Sequence, residues 1–200
     1  RQSPRNYETV LTEKQLEIWL AKIGQADLVA FDTETTSLDP MKAELVGFSV
    51  AVEADAAAYV PLAHRYAGAP QQLDRAAVLA WMKPWLEDAR RPKLGQNAKY
   101  DMHVLANLDI RLAGVAHDTL LQSYVLESHR PHDMDSLAES HLGLKTITYD
   151  EVTGKGAARI GFEQVTVERA TEYAAEDADV TLQLHQALYP RVQAEEKLER

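Results

Sequence analysis

The stretch LVAFDTETTSLDP, residues 28–40, constrains this chain more than any other. Leu28-Val29-Ala30-Phe31 has the apolar density of a buried strand, and it runs without a turn residue into Asp32-Thr33-Glu34. Side chains alternate along a strand, so Asp32 and Glu34 share one face and Thr33 faces away. Two carboxylates about 4 Å apart repel by roughly 4 kcal/mol at an effective dielectric near 20. A fold tolerates that if a cation sits between them, or if one proton is shared and a pKa rises. Acid-x-acid spacing also occurs at Glu53/Asp55, Asp133/Asp135 and Asp177/Asp179, but only the first pair continues an apolar strand. The plain alternative is a strand end dipping into solvent.

The pattern around this strand is that of an α/β domain. Thr12-Glu13-Lys14-Gln15 has capping-box form and opens a helix that Gly24 closes. Residues 28–34, 44–52 and 56–62 read as three strands of an antiparallel meander. Asp74 caps a helix through Trp81 and Trp85 that Pro84 is expected to kink or break. A short strand at 93–96, a helix at 97–108, a strand at 114–119 and a helix to Leu126 follow. A second capping box, Ser136 to Glu139, opens a helix that Gly143 stops, and residues 145–164 read as a mobile loop. Thr166 caps a long helix ending near Leu188, before Pro190. Alternation of this kind predicts one mixed central sheet with helices on both faces.

Two hundred residues fit a single domain over 1–200. The absence of cysteine excludes disulfides, thiolate metal sites and cysteine nucleophiles. No apolar run has the length of a membrane span, and no signal peptide is visible. The chain does not begin with Met and its charged tail, QAEEKLER, is helical in character, so the expectation is a piece of a longer protein. A net charge of −10 argues against a binder that grips nucleic acid by a basic face alone. It is compatible with an enzyme whose clustered acids hold cations.

Two further segments carry candidate acids. Asp101 lies in GQNAKYD, on a helix just after a strand, with Gln96, Asn97, Lys99 and Tyr100 beside it. Tyr173 and Asp177, in EYAAEDAD, are spaced i, i+4 and share a helical face. Three acid-bearing segments of an α/β fold can meet at one sheet end. Asp32, Glu34, Asp101 and Asp177 would then offer hard oxygen ligands suited to Mg²⁺ or Mn²⁺. Four such charges match two divalent ions, and a pair of ions about 3.5–4 Å apart stabilises both the attacking and the leaving oxygen of a phosphodiester.

The motifs DTET, NAKYD and YAAED, in this order, resemble the DEDD exonucleases of the tyrosine subgroup. The longer runs GQNAKYD, HDMDSLAE, KTIT and YAAEDADVTLQLH are similar to the 3′–5′ proofreading domains of the bacterial DNA polymerase I family. The likeness extends from about Tyr7 to the end. It implies a ribonuclease H-like fold and release of nucleoside monophosphates from DNA 3′ ends. It implies two divalent ions, Mg²⁺ or Mn²⁺ with Zn²⁺ as an alternative at one site, held by Asp32, Glu34, Asp101 and Asp177. By the same likeness Tyr173 and Glu34 position the attacking water. Thr33, Thr35 and Leu38 line the terminal nucleotide, Gln96, Asn97, Lys99 and Tyr100 meet the strand, and Tyr149 stacks on a base. Arg130 matches a family arginine only after a shift of one residue. The partners implied are a single-stranded DNA 3′ end and a covalently linked polymerase domain, and the location is the bacterial cytoplasm at the nucleoid, not a membrane. Two rival functions remain: a catalytically silent structural module of a polymerase, and a related RNA 3′-exonuclease.

Other conspicuous residues have plainer readings. The seven histidines show no zinc-like spacing and read as structural or solvent-facing. Asp118 caps the helix after its strand, with a supporting role at the site as the alternative, and Asp133 and Asp135 cap the helix at Ser136. Trp19, Trp81 and Trp85 read as core, and RRPK, residues 90–93, as a solvated turn.

Overall fold

The computed structural model describes residues 5–195. Its centre is a six-stranded mixed sheet in the order β1-β4-β3-β2-β5-β6. The strands are β1 (Asn6–Thr9), β2 (Val29–Thr35), β3 (Leu45–Glu53), β4 (Ala56–Pro61), β5 (Lys93–Gly95) and β6 (Val115–Asp118). β2, β3 and β4 form the expected antiparallel meander, whereas β1 pairs parallel with β4 and β5 pairs parallel with both β2 and β6. β1 has no counterpart in the sequence reading. Four half-exposed residues, NYET, carry too little apolar alternation to announce a strand.

Alternation along the strands sorts the helices onto two faces. Val29 and Phe31 of β2, Phe48 and Val50 of β3, and Ala58 and Val60 of β4 face one side. There they meet Leu16, Trp19 and Ile23 of α1 (Glu13–Gln25), Val78, Met82 and Leu86 of α2 (Arg75–Leu86), and Val104 and Leu105 of α3 (Ala98–Ala106). Ala30, Ala51 and Ala57 face the other side and meet Ala175, Ala178 and Leu182 of α7 (Val167–Ala194). Alanine on both surfaces lets α7 lie close to the sheet, so whatever β2 projects on that face falls under this helix. α4 (Thr119–Glu127), α5 (Met134–Leu142) and α6 (Tyr149–Thr153) pack against α7.

Several expectations need correction. Pro84 neither breaks nor ends α2, which continues to Leu86; a proline near the last turn forfeits only one backbone bond. Pro190 is likewise inside α7, which reaches Ala194. Asp133 caps α5 as expected and accepts the Ser136 N–H at 2.9 Å, but the helix starts at Met134, so neither Ser136 nor Asp135, which accepts from Thr146, is its cap. Residues 145–164 are not a plain loop: they contain α6 and single 3₁₀ turns at Gly156–Ala158 and Phe162–Gln164, with Phe162 fully buried. Trp81 is 42 % exposed rather than core. Lys93 is buried, its Nζ donating to the carbonyls of Asp88 and Arg91 and lying over the Trp85 ring. The tail residues 196–200 lie outside the described residues.

α7 is held from the far side of the sheet's edge as well. Arg5 pairs with the buried Glu176, Tyr7 donates to Asp179 at 2.6 Å, and the Asp55 N–H donates to the same carboxylate at 2.9 Å. Thr9 and Thr171 share a hydroxyl hydrogen bond at 2.7 Å. These bonds flank Asp177 on both sides in sequence.

Candidate active site

The carboxyl end of β2 opens into a cleft of about 490 Å³. Asp32 and Glu34 face α7, on the same side of the sheet as Ala30, which is the outcome that strand alternation requires. Glu34 pairs with Gly47 but Thr35 pairs with Leu45, so β3 carries one extra residue at this point. Such a bulge ends regular pairing and re-aims the chain, here into the loop that carries Ser37 and Leu38 to the cleft mouth. Leu38 is 81 % exposed there.

α7 supplies Tyr173 and Asp177 from above. Oxygen atoms of Asp32, Glu34 and Asp177 lie within 4.8 Å of one another. Asp101, on the first turn of α3, enters from the opposite layer and is buried. Its Oδ1 accepts the Thr33 N–H at 3.0 Å and the Thr33 hydroxyl at 2.5 Å. The four acids therefore line one cleft, although Asp101 stands outside the tight triad.

The electrostatics are those of crowded, buried carboxylates. Burial pushes Asp32 up to about 7, opposed by the Thr33 backbone N–H. Glu34, Asp101 and Asp177 are raised well above the carboxylate range, first by burial and then by the charge of Asp32. Among the described residues, no lysine, arginine or histidine lines the cleft. Oε1 of Glu34 is buried and has no hydrogen-bond partner. Buried carboxylates cluster in this way only at a cost that protons or cations must offset. A bare buried oxygen and an all-carboxylate donor set fit a hard divalent cation.

The other expected residues divide into those the fold brings to the cleft and those it does not. Thr33, Thr35, Gln96, Asn97, Tyr100 and Tyr149 line it. Asn97 has φ 62° and does not cap its own helix. Asp118 does so instead, accepting the N–H groups of Asn97 and Ala98 at 3.0 and 2.8 Å and that of Leu120 at 2.9 Å. One carboxylate thus caps both α3 and α4 and leaves the Asn97 side chain to the cleft. The Gln96 amide donates to the His132 carbonyl at 2.9 Å and accepts from Thr119, so both its ends are engaged within the protein. The Tyr100 hydroxyl binds the Ser37 carbonyl and the Thr35 hydroxyl, tying the Leu38 loop to α3. Tyr149 stands edge-on to Tyr173 with ring centres 6.1 Å apart.

Lys99 and Arg130 lie outside the cleft. Lys99 is exposed and sits two residues, roughly half a helical turn, from Asp101. Arg130 is exposed and lies 3.8 Å from Glu127. Conversely, Ser37, Asp133 and Met134 line the cleft without having been singled out as site residues. Ser37 lies inside the first motif's run and was legible from it. Met134 had no signal, because the capping box placed the cap of α5 at Ser136, three residues past Asp133.

A family model for the 3′–5′ exonuclease matches residues 7–193. DNA polymerase I of Pseudomonas aeruginosa is 54 % identical over 96 % of this chain, and that of Rhizobium leguminosarum 43 % identical over 94 %. The chain spans 22 % and 20 % of those two relatives, about a fifth of their length. Among solved structures, Trypanosoma brucei RNase D in complex with RNA U12 aligns with TM-score 0.73 at 18 % identity, over 92 % of this chain and 62 % of that one. Brucella melitensis NrnC aligns with TM-score 0.65 at 20 % identity, over 88 % and 78 %. These distant likenesses speak to the fold, which is the ribonuclease H-like one expected. The family match and the identity to these polymerases, which run nearly the length of the chain, leave one conclusion: the chain belongs to the 3′–5′ exonuclease family of DNA polymerase I and is a hydrolase acting on nucleic-acid phosphodiester bonds.

Proposed function

We infer that this domain is the metal-dependent 3′–5′ exodeoxyribonuclease of a DNA polymerase, removing mispaired 3′ nucleotides as monophosphates. The observation that carries this reading is the meeting of Asp32, Glu34 and Asp177 within 4.8 Å, with Asp101 in the same cleft and, among the described residues, no basic group lining it to balance them. Asp32, Glu34, Asp101 and Asp177 would hold two divalent ions, Mg²⁺ or Mn²⁺. Those ions supply Lewis-acid stabilisation of the attacking and leaving oxygens when bound.

The protein's own groups do the rest. Glu34 offers a bare oxygen to an attacking water, and Tyr173, beside Asp177 on α7, orients it from the other side. Thr33 serves by holding Asp101. Leu38 and Tyr149 give apolar faces at the cleft for the terminal base and its neighbour, as a single-strand site requires. Asn97 and the outer edge of Tyr100 meet the strand. Lys99 and Arg130, on the surface outside the cleft, act at most on the strand further from the scissile bond.

A polymerase domain in the same polypeptide is part of the proposal, since the relatives are about five times as long. So is a cytoplasmic, nucleoid-associated location; among the described residues no helix is long and apolar enough to cross a membrane. The test is incubation with Mg²⁺ and 3′-labelled single-stranded DNA, with RNA of the same sequence alongside. Release of mononucleotides from DNA in preference to RNA is expected. Release from RNA alone would turn the assignment to an RNA exonuclease, and no release from either at high enzyme would make the domain a silent module.

A further inference from the structure

Tyr59 lies fully buried on β4, on the side of the sheet that carries Glu34. Gly47 of β3 is the register partner of Glu34. A Cβ placed on Gly47 would collide with the hydroxyl and ring of Tyr59, so the phenol fills the volume that a side chain at 47 would take. Cross-strand partners hold their Cβ positions about 5 Å apart, which brings that hydroxyl within reach of a glutamate side chain. Burial, then the charge of Glu34, pushes the Tyr59 phenol up.

The hydroxyl is nevertheless committed elsewhere. Tyr59 Oη lies 2.7 Å from Nε2 of His64, and Nδ1 of His64 lies 2.9 Å from the carbonyl oxygen of Val165. A carbonyl only accepts, so Nδ1 carries the proton. Burial lowers the His64 pKa, and a neutral ring protonated at Nδ1 has a bare Nε2 that accepts. Tyr59 is therefore the donor, and its one proton points at His64. Oε1 of Glu34, next to a phenol able to satisfy it, has no partner.

We propose that Tyr59 and His64 are positioning residues for Glu34: by holding the phenolic proton on the imidazole, they keep Oε1 of Glu34 an open acceptor. The inference rests on the reading of this cleft as a metal-dependent nuclease site. It assigns a role to a buried tyrosine–histidine pair that touches neither substrate nor ion. It also explains why β3 has glycine at 47, since any side chain there would evict the phenol from its place beside His64.

The probe is Mn²⁺ alone, titrated by calorimetry into the whole chain, with nucleotide release from single-stranded DNA as a second readout. In His64→Leu the Tyr59 hydroxyl loses its acceptor and turns to Glu34, and Mn²⁺ binding weakens about tenfold, the worth of one hydrogen bond to a carboxylate. In the double variant Tyr59→Phe/His64→Leu no hydroxyl remains to misdirect, and binding and cleavage recover toward the parent. A pair that served only as core filling would leave the double variant no better than the single one, and that result overturns the proposal. If His64→Leu does not fold, His64→Met, apolar and of comparable length, takes its place with the same expectation. A parent chain that binds no Mn²⁺ overturns the metal reading itself; a parent that binds, paired with a double variant that does not recover, overturns only the role of the pair.

Discussion

Thr33 donates both its backbone N–H and its hydroxyl to a single oxygen of Asp101, at 3.0 and 2.5 Å. This residue points away from the acids on either side of it, yet it fastens the fourth acid to the strand that bears the first two. Strand β2 thus serves the site from both of its faces, one projecting carboxylates toward α7 and the other anchoring α3.

Thr33→Val keeps the shape and the N–H but removes the hydroxyl donor. Asp101 is buried, so the loss is expected to cost about 1–3 kcal/mol. Urea unfolding measures it, and nuclease activity should fall with it because Asp101 is no longer held. An unchanged midpoint and unchanged activity would show that the backbone N–H suffices.

Asp177→Asn removes one charge from a crowd of four. Without metal the variant is expected to unfold at a higher temperature than the parent, by a margin on the order of 1–2 kcal/mol of relieved repulsion. With Mn²⁺ the order reverses, since the parent gains from binding and the variant does not. Thermal unfolding of both proteins with and without the ion tests this; a variant that still gains as much as the parent would remove Asp177 from the ligand set. Cleavage should be abolished in the same protein.

His185 offers a pH test away from the cleft. Burial, then the neighbouring charge of His117, lowers its pKa to about 4. Between that value and the ordinary histidine range near 6.5 the unfolded chain binds the extra proton, so this group's contribution to stability falls as pH drops through the window. Asp32, raised by burial to about 7, has the opposite sign between about 4 and 7, because there the folded chain holds the proton. Subtracting the stability curve of His185→Gln from that of the parent isolates the histidine. The difference should decline from pH 6.5 to pH 4, and a flat difference would refute the buried neutral ring bonded to Gln122.

Gly47→Ala probes the packing between β3 and β4. The added methyl meets the Tyr59 ring, and overpacking of this kind costs about 1–3 kcal/mol. A loss of that size in chemical denaturation is expected, while a neutral substitution would mean that Tyr59 can move at little cost.

Much of this site could be read in the residues before any coordinates. The apolar run ending in Asp32 and Glu34 announced a strand with acids on one face, and i, i+4 spacing joined Tyr173 to Asp177. Capping chemistry placed α1 and α7 because Thr12 and Thr166 do locally what their types favour. What escaped was set by tertiary packing. β1 exists because its half-buried residues pair with β4 and reach α7, which no local pattern reveals. Lys93 is buried because two turn carbonyls, of Asp88 and Arg91, accept from its Nζ and the Trp85 indole lies beneath it. Glu176 and Asp179 fall elsewhere around the helix than Tyr173 and Asp177, and the i, i+4 pattern does not show that α7 is enclosed on nearly every side and that both acids find partners. Helix periodicity also predicts that Lys99 diverges from Asp101, a consequence that motif likeness alone conceals.

The ion pair of Arg5 with Glu176 has a practical consequence for choosing where to cut this domain. The family match begins at residue 7, and a truncation made there would discard Arg5. Glu176 would then keep only the Ile147 N–H as a partner while remaining sealed from water, at a cost of up to about 3 kcal/mol. Its neighbour in the chain is Asp177, so the damage would fall on the backbone that aims a nuclease carboxylate. The working boundary of the domain is set by a charge lying two residues upstream of the family match.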